Sequence, residues 1–551
     1  MRNDLAIVCF SVVLGCVDCT LFTTPVVKTS YGKVRGLRSV SGQNRFYSIP
    51  YAVSERFQAP REPPAWKGVR SAMRWLPPCS QTIDIVPVAP LQLGSEDCLR
   101  LDVYTPETAT PGQNLPVLVF LHGGAYYYGN KNDYDPEFLV TKNVITVIIN
   151  YRVGVFGFLC LNGVANLGLK DQVAALKWIQ KNIAAFGGDP DNVTLSGQSA
   201  GASAAAMHLL SKSSKGLFHK LILMSGNPFT PWSFNPEPET PAFQDVSKRK
   251  RISNVEEVYN YFATAPVRDI MSVSMDTSIN PRYFKYSPCV DSNFSDPFFR
   301  DTPYNIIKSG NLNKVPILTG ITNVEGLLFY GLHSAETVKD LERNFLEKIP
   351  SVFSWCSKKD REQIAQKLRD NFFGVEGIKM SAYRSLIDFY SVWIANATAN
   401  AFVDLMVEHS EQPVYRYVFS YEGDRNFAKA IFGSRVSVPG ASHSDDLFYV
   451  FKPAGISLLL TNRDKRFIDR MTTMFTNFMK FGDPTPRKSK LLPTKWPPVT
   501  ASNPVALRMD RELTVIRPSR TKHEEFFLDL LCTYGHDGYV PCKSQKRCNL
   551  D

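Results

Sequence analysis

Short apolar runs recur along the chain: Val117 to Leu121, Val144 to Ile149, Val193 to Leu195, Leu221 to Met224, Val315 to Leu318 and Val414 to Phe419. Short, mostly apolar runs of this length suit strands covered on both faces. Between several of them the period changes. Val173, Leu176, Ile179 and Ile183 fall three, three and four residues apart, which puts them on one face of a helix. Strands alternating with helices predict an α/β protein with a central, mostly parallel sheet flanked by helices. In such sheets the chemistry lies beyond the carboxyl ends of the strands, so the turns after these runs are the places to search.

The N-terminus has a different pattern. After Met1-Arg2-Asn3-Asp4 come thirteen largely apolar residues from Leu5 to Val17, followed by small or polar residues. This is the order of a signal peptide, and the stretch is too short for a bilayer-spanning helix. Residues 1–19 are therefore expected to be a signal peptide cleaved near Cys19, with residues 20–551 forming a single domain that ends in a polar C-terminal tail. No later stretch has eighteen uninterrupted apolar residues, so a secreted, extracellular protein without a membrane span is expected.

Composition sharpens this picture. At 551 residues and 44% hydrophobic, the chain has ample core material, which excludes a disordered, collagenous or small disulfide-scaffold protein. The net charge of +11 becomes +12 after the leader takes one basic and two acidic residues with it. No dense basic patch goes with that charge: the one run is Lys248-Arg249-Lys250-Arg251, a solvated loop or a protease-processing site, and nucleic acid is not an expected partner. Eight cysteines follow the leader, and in an oxidising compartment some will pair. Cys79 with Cys98 would close a short loop and Cys542 with Cys548 a terminal clip, although sequence alone does not fix connectivity. Asn293 and Asn396 head glycan-acceptor tripeptides, whereas Asn192 leads into an expected buried strand.

Two turns stand out. After the run Val193 to Leu195 comes Gly197-Gln198-Ser199-Ala200-Gly201, a sharp strand-to-helix turn that would expose the Ser199 hydroxyl at a helix N-terminus. After Val117 to Leu121 comes His122-Gly123-Gly124-Ala125, where paired glycines let backbone N–H groups of Gly123 and Gly124 join that of Ala200 around a developing oxyanion. A nucleophilic serine needs a base and an acid, in the order Ser, acid, His. His443, in the loop Gly440 to Asp446, comes late enough, and Glu325 follows the run Val315 to Leu318. His208 and His219 are expected to pack or cap locally. No metal or cofactor is implied.

Further segments join these: Glu96-Asp97-Cys98-Leu99-Arg100-Leu101-Asp102-Val103-Tyr104, Asn150-Tyr151-Arg152, Gly168-Leu169-Lys170-Asp171-Gln172, Phe186-Gly187-Gly188-Asp189-Pro190 and Phe481-Gly482-Asp483-Pro484. With the two turns and His443-Ser444-Asp445-Asp446-Leu447, they make the chain resemble a type-B carboxylesterase of the cholinesterase-like α/β-hydrolase family over residues 27–500. The resemblance implies Ser199 as nucleophile, Glu325 as acid and His443 as base, with Gly123, Gly124 and Ala200 as oxyanion donors. It also implies pairing of Cys79 with Cys98 and a small-molecule ester as substrate. Two departures bear on which ester. The segment from Cys79 to Cys98 lacks the tryptophan that holds a quaternary ammonium in cholinesterase-like members, and residue 198 is Gln where they carry Glu. Both argue for an uncharged ester over a choline ester, and the GQSAG form resembles that of insect juvenile hormone esterases. Trp232 resembles the family's acyl-pocket region, with core packing as an equal explanation. The rival from a different class is a neuroligin-like adhesion protein. A scavenger that acylates and scarcely deacylates is a third reading.

Overall fold

The structure, a computed structural model, describes residues 22–83, 90–247, 252, 254–274, 285–454, 460–542 and 548. The proposed leader and the run Lys248 to Arg251 lie outside the described residues. Twelve strands form one sheet: β1 (Phe22–Thr23), β2 (Leu37–Arg38), β3 (Gln43–Pro50), β4 (Arg100–Pro106), β5 (Leu115–Leu121), β6 (Ile145–Ile149), β7 (Gly188–Gln198), β8 (Lys220–Met224), β9 (Ile317–Thr322), β10 (Val414–Phe419), β11 (Ala506–Met509) and β12 (Leu513–Ile516). Their spatial order is β1-β2-β3-β4-β6-β5-β7-β8-β9-β10-β11-β12. Neighbours are parallel from β6 through β11 and antiparallel at both margins. All six apolar runs lie in or overlap the parallel strands.

The central strands are apolar on consecutive positions because each face meets its own core. On β5, Val117, Val119 and Leu121 pack into one apolar cluster, while Leu118 and Phe120 pack into the other. The first cluster takes the buried faces of α1 (Leu167–Asn182) and α2 (Ala200–Met207), and the second takes that of α3 (Asn462–Phe481). Val173, Leu176 and Ile179 lie on α1 as their spacing predicts, and Ile183 begins a short 3-10 turn after it.

The margins carry the strands that pattern alone does not reveal. β4 reads RLDVYTP and is buried throughout, Asp102 included. That carboxylate is matched by Lys131, equally buried, with Nζ 2.7 Å from Oδ1. Burial alone pushes the acid up and the ammonium down, and their mutual attraction opposes both shifts.

Strand order sets where a site can form. β5 is followed in sequence by β6 on one side of it and then β7 on the other, so the chain changes direction between β5 and β7. A crevice opens there beyond the carboxyl ends. In the parallel register Leu121 lies opposite Gly197, which sets the His122-Gly123 turn beside Gln198-Ser199.

Four disulfides tie the loops: Cys79–Cys98, Cys160–Cys289, Cys356–Cys548 and Cys532–Cys542. Cys79 and Cys98 pair as the family resemblance implies. The expected Cys542–Cys548 clip is not formed. Cys532 lies in the last turn of α4 (Lys522–Tyr534), close enough for Cys542 to reach back to it, and Cys548 instead anchors the tail to Cys356. Cys160–Cys289 joins residues 129 apart in sequence, tying the chain ahead of α1 to the segment that follows β8. Asn293 is exposed in a turn, as an acceptor needs to be. Asn396 ends a π-helical turn (Val392–Asn396) and is half-buried, with its side-chain oxygen shut off from solvent. Among the described residues no helix is long and apolar enough to cross a membrane.

Candidate active site

Ser199 sits between the end of β7 and the start of α2 with φ 56° and ψ −125°, a conformation L residues avoid. The surrounding backbone imposes it. Ser199 N–H donates to Met224 O at 2.8 Å and its carbonyl accepts from Ser203 N–H at 3.0 Å. The flanking glycines are required by close approach: a Cβ on Gly197 would lie 2.2 Å from Gly201 O, and one on Gly201 2.2 Å from Leu121 O.

Opposite the serine, the chain turns through Gly124 (φ 104°), Ala125 (φ 57°) and Tyr126 (φ 59°). A Cβ on Gly123 would come within 3.1 Å of the Ser199 Cβ, so the two loops touch. Among the described residues, the backbone N–H groups of Gly123, Gly124 and Ala200 donate to no backbone carbonyl in the turns and loops, and that of Gly123 faces the Tyr134 phenol oxygen. His122 braces this loop. It is fully buried, stacks on Tyr151 at 4.3 Å, and its carbonyl accepts from the Tyr151 hydroxyl at 2.6 Å. Burial pushes its imidazole down to about 4, so it is neutral at physiological pH.

Glu325 and His443 meet through backbone pairing. A parallel bridge joins Val324 to Ser442, and Val324 N–H donates to Ala441 O at 3.0 Å, which seats the next residue of each loop side by side. His443 Nδ1 lies 2.5 Å from Glu325 Oε2. The other carboxylate oxygen accepts from Ser225 Oγ and from Thr322 N–H, each at 2.7 Å. With Nδ1–H donating to this carboxylate, a neutral imidazole presents a lone pair at Nε2. That lone pair receives the Gln198 amide nitrogen at 3.2 Å, and the same nitrogen donates to Ser444 Oγ at 2.8 Å. The loop behind the histidine is stiffened by two buried acids: Asp445 accepts from Ser442 N–H at 2.7 Å, and Asp446 from the Tyr417 hydroxyl at 2.8 Å. Burial raises both to about 7.

Ser199, His443, Gly123 and Gly124 line one cavity of about 240 Å³ with mostly apolar walls, Phe329 and Leu447 among them. Glu325 lies behind the histidine, out of reach of solvent. Thus the nucleophile, base, acid and oxyanion candidates are gathered at one place, although Ser199 Oγ makes no hydrogen bond among the described residues and Gln198 holds the imidazole lone pair instead. Of the neighbouring tyrosines, Tyr128 reaches the cavity wall and Tyr126 packs in the core. Trp232 also proves to be a core residue: it is 1% exposed, absent from this cavity's lining, and its Nε1 donates to Ile394 O at 2.8 Å.

The model of the carboxylesterase family matches residues 23–527. The chain belongs to the carboxylesterase family. It is a carboxylic ester hydrolase, and its substrate is a small-molecule ester. Esterase FE4 of Myzus persicae is 32% identical over 528 residues, 90% of each chain. Juvenile hormone esterase of Tribolium castaneum is 31% identical over 508 residues, 84% of this chain and 85% of the relative. The crystal structure of juvenile hormone esterase from Manduca sexta, with OTFP covalently attached, superposes with a TM-score of 0.81 at 28% identity, covering 92% of this chain and 99% of that one. The fold is therefore that of an α/β hydrolase, and the match runs past residue 500 into α4, whose Phe527 and Leu531 enter the core.

In this carboxylesterase three residues near the centre escaped the sequence reading. Ser225, which donates to Glu325, directly follows the apolar run Leu221 to Met224; its place at a strand's carboxyl end was the available signal. Tyr151 lay in the quoted Asn-Tyr-Arg segment without a role. Gln198 drew notice only as a marker of substrate class, and its contact with His443 had no signal in the pattern. His208 and His219 behave as expected: His208 is tied to Gln172 and Ser214, and His219 Nδ1 accepts from Val193 N–H at 3.1 Å.

Proposed function

We propose that this carboxylesterase is a secreted serine esterase that hydrolyses an uncharged carboxylic ester through an acyl-enzyme, with Ser199 as nucleophile, His443 as base and Glu325 as acid. The observation that carries the proposal is the buried Glu325–His443 pair, 2.5 Å apart, whose imidazole lines the same cavity as the strained serine. When substrate enters, the Ser199 hydroxyl takes the place of the Gln198 amide at Nε2 and His443 accepts its proton as Oγ attacks the ester carbonyl. Negative charge grows on the carbonyl oxygen, where the N–H groups of Gly123, Gly124 and Ala200 receive it. The imidazolium, held by Glu325, then protonates the departing alkoxide. Water attacks the acyl-enzyme by the same route and restores the serine. Covalent attachment of OTFP in the Manduca sexta relative is consistent with a nucleophile in this fold.

Secretion is supported by the order of the first nineteen residues and by four disulfides, which persist in oxidising compartments. Within the enzyme reading, specificity like that of the juvenile hormone esterases is favoured by Gln198 and by the relatives that carry that name. The neuroligin-like alternative has no observation in its favour, since each catalytic position is filled. Ser199→Ala should abolish turnover of an aryl acetate and labelling by an organophosphonate probe while secretion continues; retained turnover would remove Ser199 from the mechanism. Comparing a hormone-like methyl ester with short-acyl, long-acyl and choline esters assigns the substrate class.

A further inference from the structure

The cavity that holds Ser199 contains a carboxylate that the proposed chemistry does not use. Asp133 ends a short 3-10 turn (Lys131–Asp133) beyond Gly129 and lines the cavity beside Tyr134. Its backbone is fixed at both polar atoms: its N–H donates to Asn130 O at 3.2 Å, and its carbonyl accepts from Ala454 N–H at 3.0 Å. The residue is exposed, yet it lies within the walls of the cavity. Its carboxylate has no hydrogen-bond or ion-pair partner among the described residues. The ammonium two residues earlier, on Lys131, is already engaged by Asp102, Ser48 and Asn132. Besides Asp133, the wall of this cavity contains no Asp, Glu, Lys or Arg among the described residues.

A carboxylate left unpartnered in a largely apolar wall is costly, and its partial desolvation there raises Asp133. A surface acid would lose little by being Ser or Asn. Here the acid faces a cavity whose other walls are largely apolar, the arrangement in which one polar group fixes the orientation of an apolar ligand. We infer that Asp133 is a specificity-determining residue that accepts a hydrogen bond from a hydroxyl on the substrate, so that the esters this enzyme prefers have an apolar body and a hydroxyl remote from the ester carbonyl. The inference rests on the esterase reading and deepens it.

The test uses a six-carbon ester and its counterparts bearing a terminal hydroxyl on the acyl chain or on the alcohol, with terminal methyl ethers as controls that cannot donate. One hydrogen bond to a charged group is worth about tenfold or more in kcat/KM. The intact enzyme should therefore prefer one of the two hydroxyl esters about tenfold over its methyl ether. Asp133→Leu should remove that preference and leave the plain ester within about threefold, and Asp133→Asn, which keeps an accepting carbonyl, should retain part of it. Equal loss on all esters, or an unchanged preference in Asp133→Leu, would overturn the inference. A quaternary ammonium ester that depends on Asp133 more than either hydroxyl ester would also overturn it, in favour of a cation site. Non-hydrolysable ketones with and without the hydroxyl, bound to Ser199→Ala and read by calorimetry, test the same preference without turnover. A protein that discriminates between the ketones but hydrolyses none of the esters would sink the catalytic reading and leave this one standing.

Discussion

Replacing Gln198 by Glu isolates the effect of one charge on the proposed base. The amide nitrogen of Gln198 lies 3.2 Å from His443 Nε2 and 2.8 Å from Ser444 Oγ, so its two hydrogens have two acceptors. Being neutral, it holds the ring without favouring the imidazolium. A carboxylate there would sit within about 4 Å of the ring, where two unit charges interact by about 4 kcal/mol at an effective dielectric constant near 20. Neighbouring opposite charges of this kind move titrations by about 1–3 units. The sign follows from the mechanism: only neutral imidazole can take the serine proton, so a charge that favours imidazolium postpones the active form to higher pH. We expect the acid limb of kcat/KM to rise by about 1–2 pH units, with rates on the parent's acid limb falling by roughly tenfold or more. Above both limbs the rate should stay within a few fold, because the same charge also stabilises the imidazolium of the transition state. Initial rates on an aryl acetate from about pH 5 to about pH 9 would show this. Gln198→Met, neutral and of similar length, should leave the limb in place. A limb that stays put in Gln198→Glu, or moves to lower pH, would refute the idea that residue 198 acts on His443 through charge.

Gly123→Ala places a Cβ 2.7 Å from Gln198 O and 3.1 Å from the Ser199 Cβ, so the two loops must part. Since misplacing reacting groups by about 1 Å costs about a hundredfold, kcat should fall by about that much, while overpacking lowers stability by about 1–3 kcal/mol. Lys131→Met leaves Asp102 buried without its partner and should cost about 3–5 kcal/mol in urea denaturation, much of it recovered by adding Asp102→Asn. Burial pushes His208 down to about 3 from the ordinary 6.5, so this residue favours the folded state above pH 6.5 and loses that contribution as pH falls toward 3. Between about pH 7 and about pH 5, His208→Gln should therefore lose about 2 kcal/mol less stability than the parent, as read by paired denaturant titrations.

How far the sequence reveals this enzyme depends on whether a feature is local. The parallel strands are legible because each is covered on both faces, so apolar residues outnumber the single polar ones within them, such as Thr146, Thr194 and Arg416. β3 and β4 are not, because their buried positions include polar residues such as Asn44, Asp102 and Thr105 whose partners lie far along the chain. Asp102 makes sense in a strand interior only once Lys131 is known to meet it. The same distinction separates the disulfides. Cys532 and Cys542 pair because α4 ends where it does, a tertiary fact that spacing does not contain.

The site divides along the same line. Ser199 and the Gly123-Gly124 turn announce themselves because the tight backbone there demands glycine at fixed offsets. Glu325 and His443 are found by their place after strands and by their order, and the Val324–Ser442 bridge is what turns that order into contact across 118 residues. Order could do no more than this. It is silent on Ser225 and Gln198, which touch the proposed acid and the proposed base from the carboxyl ends of other strands. A catalytic order in the chain therefore proposes the reacting groups, whereas their contacts reside in neighbours brought up by the fold. Register sets Gln198 beside the proposed oxyanion turn, and its amide reaches on to the proposed base, so a single substitution there is the sharpest test of the arrangement.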